Sequence, residues 1–310
     1  MSIAYLEPLG RAWERMKQAL FRPFDLHKWF VVGFNAFLAG LADGQNGGGG
    51  GRGGRHASFR EFLDFPGRAW EWLNQHPGWF AAIVVITAAA IVVGIVLLWL
   101  SSRGKFMFLD NVVHNRAEIA NPWRQYRREG DSLFLWRLVF SLVAVAVFVA
   151  FVVFFFATAR DLYDESPGHH LSVSYFVGLG LIFLALIVVA GFVSLFLDSF
   201  VVPLMYKDRV TAVQGWRRFL ALLGQHPFAF ILFGLLMFGL ILLFVAAVVV
   251  AGIITCCIGW ILLVIPYIGT VVTLPVWYTF RAFSLEFLAQ FGPEYVLVPP
   301  PTTQTDAQTA

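Results

Sequence analysis

Apolar residues gather into long blocks separated by short charged stretches. Five blocks are clear: Trp79 to Leu100, Leu133 to Ala157, Val173 to Leu197, Phe228 to Ile253 and Ile258 to Phe280. Each is near the roughly 20 residues that a helix rising about 1.5 Å per residue needs to cross a hydrocarbon layer about 30 Å thick. A sixth block, Phe24 to Asp43, is weaker. Its uninterrupted apolar part runs only from Trp29 to Ala42, and its first turn carries Asp25, His27 and Lys28. Spanning, re-entering and lying flat are all open to it. The blocks are too long for barrel strands and lack period-two alternation, and unpaired backbone groups in hydrocarbon force them into helices. The pattern predicts an all-α fold: a polytopic transmembrane helical bundle of about six spans with interfacial amphipathic helices. The spans lie near 24–43, 79–100, 133–157, 173–197, 228–253 and 258–280, in one membrane domain over residues 1–297. No cleavable signal is evident before the first block, so the chain itself is expected to be the anchor.

Composition narrows the class. With 59% hydrophobic and 13% charged residues, the chain falls far from soluble domains, which carry about a quarter charged residues. Disordered and nucleic-acid-binding classes are excluded. Lysine and arginine set the orientation: with six spans and both termini cytoplasmic, 16 of them lie inside and 5 outside, the asymmetry the positive-inside rule expects. If the first block does not cross, the split becomes 11 and 10. The Gly-rich loop 44–56, reading GGGGGRGGR from Gly47 to Arg55, has no phosphate-loop ending and is expected to be a flexible linker. The tail 298–310, with three consecutive prolines, is expected to be disordered.

Four times a tryptophan flanked by charge opens a short amphipathic stretch that leads into a block. The four are Trp13, Trp70, Trp123 and Trp216; residues 10–14 and 67–71 share the sequence GRAWE. Tryptophan favours the headgroup layer, where its ring is buried and its N–H stays wet, and arginine extends its charge outward from an apolar stem. These four are the expected interfacial anchors. A second echo pairs Phe108-Leu109-Asp110 with Phe196-Leu197-Asp198.

Ionisable residues inside a span cost several kcal/mol and point to function, and this chain has almost none. Arg137 sits one turn into its block and can reach back to the interface. Asp110, Asp198 and Glu286, each near an inner helix end, are candidates to converge with Arg137 or Arg281 into a structural or gating polar cluster; capping and snorkelling are the plainer reading. In the last block, Pro266 removes an N–H, Gly269 loosens the next turn, and Thr270 offers a hydroxyl to the freed groups. Pro266, Tyr267, Gly269, Thr270 and Pro275 therefore mark an expected helix break. Cys256 and Cys257 are expected to be free thiols, since a disulfide between neighbours is strained. His169 and His170, after Asp161, Asp164 and Glu165, offer a weak divalent-cation motif without fixed ligand spacing. No catalytic signature is present and no cofactor is implied.

The stretches 22–41 (RPFDLHKWFVVGFNAFLAGL), 101–138 (SSRGKFMFLDNVVHNRAEIANPWRQYRREGDSLFLWRL) and 265–295 resemble an uncharacterised bacterial family of multi-pass membrane proteins, classed only as a domain of unknown function. More distantly, the span layout is similar to the membrane domain fused ahead of some bacterial glycerophosphodiester phosphodiesterases, although this chain has no phosphodiesterase domain. The resemblance implies an inner-membrane protein of about six helices. The function expected is that of a non-enzymatic membrane-organising or accessory protein, with the lipid bilayer, other membrane proteins or a second copy as partners and no nucleic acid. The alternative is a small transporter or channel using the proline-broken last helix.

Overall fold

A computed structural model describes residues 3–22, 24–43, 64–165, 173–255 and 265–298. Every regular element among the described residues is helical. In chain order these are α1 (Leu6–Phe21), α2 (Leu26–Gly40), α3 (Phe65–Gln75), α4 (Pro77–His114), α5 (Ala120–Gln125), α6 (Arg127–Glu165) and α7 (Val173–Phe196). A π-helical turn, Leu197–Val201, leads into α8 (Val202–Asp208), then α9 (Ala212–Gln225), α10 (Pro227–Ile254) and α11 (Pro266–Leu288).

Among the described residues four helical stretches are long and apolar enough to cross a membrane, against the six expected: Pro77–His114, Arg127–Leu162, Val173–Asp208 and Pro227–Ile254. α2 has 15 residues, a rise of about 22 Å, short of the hydrocarbon core. α11 starts only at Pro266, and residues 256–264, which open the last block, lie outside the described residues. Each crossing helix except α7 starts directly after a short helix: α3 before α4, α5 before α6 and α9 before α10; α1 likewise precedes α2. Asp25 caps α2 through its carboxylate, and a Thr211–Gln214 capping box starts α9, so the chain's polar punctuation fixes these starts.

Two compact units divide the chain. The first comprises residues 1–47, 98–136 and 194–310; the second comprises 48–97 and 137–193. The first has a phenylalanine core. Phe200 on the π-turn stacks on Phe219 of α9 at 5.3 Å and meets Phe230 and Phe233 of α10 at 5.0 and 4.8 Å. Phe233 in turn meets Phe283 and Phe287 of α11 at 5.1 and 4.6 Å. All six rings are shut away from the surface. α11 packs on α1 and α2, and Gly33 of α2 lies so close to Val271 that a Cβ would stand 2.7 Å from its side chain. Through this unit runs the end of α4, buried without interruption from Ser101 to Val112 although it carries Arg103, Lys105, Asp110 and Asn111. In the second unit α6 and α7 meet through Phe151 on Phe183 at 5.3 Å and through a Tyr175 hydroxyl 2.7 Å from Thr158 Oγ1. Its remaining apolar side chains are largely exposed, among them Leu142, Val145, Leu181 and Val189.

Candidate functional site

The polar residues of the first unit form three centres rather than one cluster. Around Lys105, 3% exposed, the ammonium donates to Asp43 Oδ2 at 2.6 Å and Asp198 Oδ2 at 2.5 Å. Arg281 donates to the backbone carbonyl of Asp198. Asp198 stands on the π-turn, a local widening of the helix that often accompanies functional positions, and its Oδ1 is buried without a hydrogen-bond partner among the described residues.

Around Asp110, fully enclosed, Oδ2 accepts from Arg116 Nη2 at 2.9 Å and Nε at 3.2 Å. Oδ1 accepts from the Tyr206 hydroxyl at 2.8 Å and the Tyr126 hydroxyl at 3.4 Å, and His114 Nδ1 lies 3.2 Å from it. The hydrogen bond to Asp110 holds the Arg116 guanidinium above its ordinary pKa, and burial pushes the Tyr126 phenol up. Tyr126 stacks on Tyr206 at 4.7 Å, and the Arg209 guanidinium sits 4.0 Å over the Tyr126 ring.

The third centre is Glu286 of α11, which takes Arg15 Nε at 2.5 Å and Arg11 Nε at 3.1 Å. The same face is tied by the Ala4 backbone and the Gln290 amide, which exchange two hydrogen bonds of 2.9 Å. Beside the centres, Arg103 lies between the Trp99 and Trp123 rings and binds Asp131 at 2.8 Å.

Of the five cluster residues expected from the sequence, the structure brings Asp198 and Arg281 together. Asp110 and Glu286 each hold a separate centre, and Arg137 is buried on α6 in the second unit. The sequence reading missed Lys105, Asp43, Arg116, Tyr126, Tyr206, Arg11 and Arg15. The two echoed aspartates are tied crosswise: Lys105, five residues before Asp110, holds Asp198, while Tyr206, eight residues after Asp198, holds Asp110.

At the expected helix break, the residues directly before Ile265 lie outside the described residues. Pro266 is the first residue of α11, where its missing N–H costs nothing, and Pro275 lies inside a helix that continues to Leu288. Tyr267 gives its hydroxyl to the Phe30 carbonyl at 2.7 Å, and Gly269 and Thr270 are buried within the same helix. The four tryptophans divide as well. Trp13 and Trp70 are exposed on α1 and α3. Trp123 packs edge-on against Trp99, and Trp216 stacks on Trp136 at 5.3 Å with its Nε1 buried and, among the described residues, without a hydrogen-bond partner. Cys256, Cys257, His169, His170 and the glycine-rich loop lie outside the described residues. Among the described residues no group of three metal-ligating side chains is placed to hold an ion.

All-helical structure with four helices of membrane-crossing length among the described residues is the make-up of a membrane protein. The chain belongs to a family of unknown function (DUF7544), whose model matches residues 4–298. No curated protein and no solved structure matches it, and the likeness to the phosphodiesterase membrane domain finds no support there.

Proposed function

We propose that this is a six-crossing bacterial inner-membrane protein with both termini cytoplasmic, without catalytic activity, which organises or associates with other membrane components. The observation that carries the associating role is the outward face of the four apolar helices. In their most apolar stretches 0%, 0%, 6% and 11% of residues are buried within the chain, which leaves those faces to lipid and to membrane partners. The buried charges, meanwhile, are spent on ties within the chain.

The lysine and arginine bias supports six crossings: with both termini cytoplasmic, 16 of these residues lie inside and 5 outside, the asymmetry the positive-inside rule expects.

The test joins two measurements. Photo-crosslinking residues placed at Leu142 and Leu181 in native membranes should capture a second copy or another membrane protein, and liposomes carrying the protein should pass ions and small solutes no faster than empty ones. Capture of lipid alone, or solute flux, overturns the reading. A second reading, a small transporter or channel, rests on Lys105, its two carboxylates and the unpaired Asp198 oxygen on a π-turn; flux abolished by Asp198→Asn would favour it.

A further inference from the structure

The starts of α6 and α9 meet in the first unit. The Ala212 backbone N–H donates to Ser132 Oγ at 3.0 Å, and Arg209 Nη1 lies 3.5 Å from Glu129 Oε1. Between them opens a cavity of about 80 Å³ lined by Arg128, Glu129, Arg209, Val210, Thr211 and Gln214. Its charges are unequal in their freedom. Glu129 is almost fully enclosed and is spent on Arg209. Arg209 is fixed by that contact, by the Gln125 carbonyl at 2.9 Å and by the Tyr126 ring. Its guanidinium is therefore pre-positioned with further N–H groups to give, since a guanidinium carries five. Arg128 is exposed and makes no hydrogen bond or ion pair among the described residues. The lining thus carries one surplus positive charge beside one held guanidinium.

Depth supplies the second half of the argument. Arg128 lies five residues before Leu133, where the apolar run of α6 begins, a rise of about 7.5 Å. Headgroups add roughly 5–8 Å to each side of the hydrocarbon core, so a cation at Arg128 stands where lipid phosphates stand. Arginine's fork suits phosphate oxygens in pairs, and a cavity of about 80 Å³ has room for a headgroup phosphate but not for an acyl chain as well.

We propose that this cavity binds the phosphate of an anionic phospholipid headgroup, with Arg128 and Arg209 as its donors. The shared chemistry is a phosphate oxyanion, which a free phosphate could also supply. The proposal rests on the membrane reading above.

The experiment uses the full chain in neutral detergent and measures its melting temperature with added phosphatidylglycerol, phosphatidylcholine or inorganic phosphate. Arg128→Gln, which removes no contact in the fold, and Arg217→Gln, an exposed arginine outside the cavity, serve as probe and control. Phosphatidylglycerol should stabilise the protein more than phosphatidylcholine. Arg128→Gln should weaken the apparent phosphatidylglycerol affinity about tenfold, and Arg217→Gln should leave it within about twofold. Equal effects of the two lipids, or an unchanged preference in Arg128→Gln, overturn the site. Inorganic phosphate matching phosphatidylglycerol at equal concentration overturns the lipid as its source. Sedimentation with membranes, scored separately for each variant, tells failure of the cavity from failure of the membrane reading.

Discussion

Replacing Asp110 by asparagine removes one charge at the most enclosed carboxylate among the described residues and leaves its shape almost unchanged. The wild-type group accepts two good bonds on Oδ2 from Arg116 and one of 2.8 Å on Oδ1 from Tyr206. An asparagine keeps one acceptor oxygen and turns an NH₂ toward either the guanidinium or the hydroxyl, so one donor faces another. Hydrogen bonds to a charged group contribute roughly 1.5–3 kcal/mol each. Arg116, whose side chain is 36% exposed, recovers part of its loss from solvent, whereas Tyr206 is buried and cannot. A net loss of about 2–3 kcal/mol is expected. At roughly 2 °C per kcal/mol for a chain of this size, the midpoint in detergent should fall by about 4–6 °C. Tyr206→Phe alone should cost about 1 kcal/mol, and the double variant should fall short of the sum by at least about 0.5 kcal/mol, the signature of a shared contact. Melting of Asp110→Asn within about 1 °C of the parent, or strict additivity with Tyr206→Phe, would refute the assignment of this carboxylate as a tie between α4 and α8.

Gly104→Ala should destabilise strongly, by upward of about 3 kcal/mol, because its Cβ would stand 2.7 Å from the Leu38 and Ala39 backbone; Gly94→Ala, with open space around it, should be neutral or slightly stabilising, and equal melting curves would sink the contrast. Glu286→Gln should loosen α1 and raise the rate of tryptic cleavage at Arg11 and Arg15 several-fold over the parent at unchanged enzyme concentration. Because burial raises the Tyr126 phenol above its ordinary value of 10.0, its contribution is fully present below about pH 10 and is lost as pH rises, when the unfolded chain ionises first. The melting midpoint should therefore fall less steeply between pH 10 and about 11 in Tyr126→Phe, and parallel slopes would contradict the burial.

The long apolar blocks were legible because their length alone decides: α4, α6, α7 and α10 each contain one, and no packing detail is needed to see it. Phe24–Asp43 sits at the margin of that criterion, and its helix proves only 15 residues long. Pro266 opens α11, where its missing N–H costs nothing, so position within the run and not residue type decides whether a proline interrupts a helix or starts one. The charge ties were hidden by distance along the chain. Lys105 meets partners 62 and 93 residues away, and Tyr206 meets one 96 residues away, separations that no periodicity encodes. A signal was available in Ser101–Val112 itself. Its apolar residues Phe106, Met107, Phe108, Leu109 and Val112 occupy every face of the helix rather than one stripe, and a helix apolar all round is buried.

The crosswise pairing of the two echoed aspartates limits how the molecule can move. Lys105 and Asp110 grip the stretch from Asp198 to Tyr206 at two stations, one near each end. Sliding of α4 past that stretch would misalign both stations together, and rotation about either helix axis would swing at least one donor out of reach. Whatever rearrangement this protein undergoes, these two segments travel as one strut, and bending must fall elsewhere, in the connections that precede and follow them.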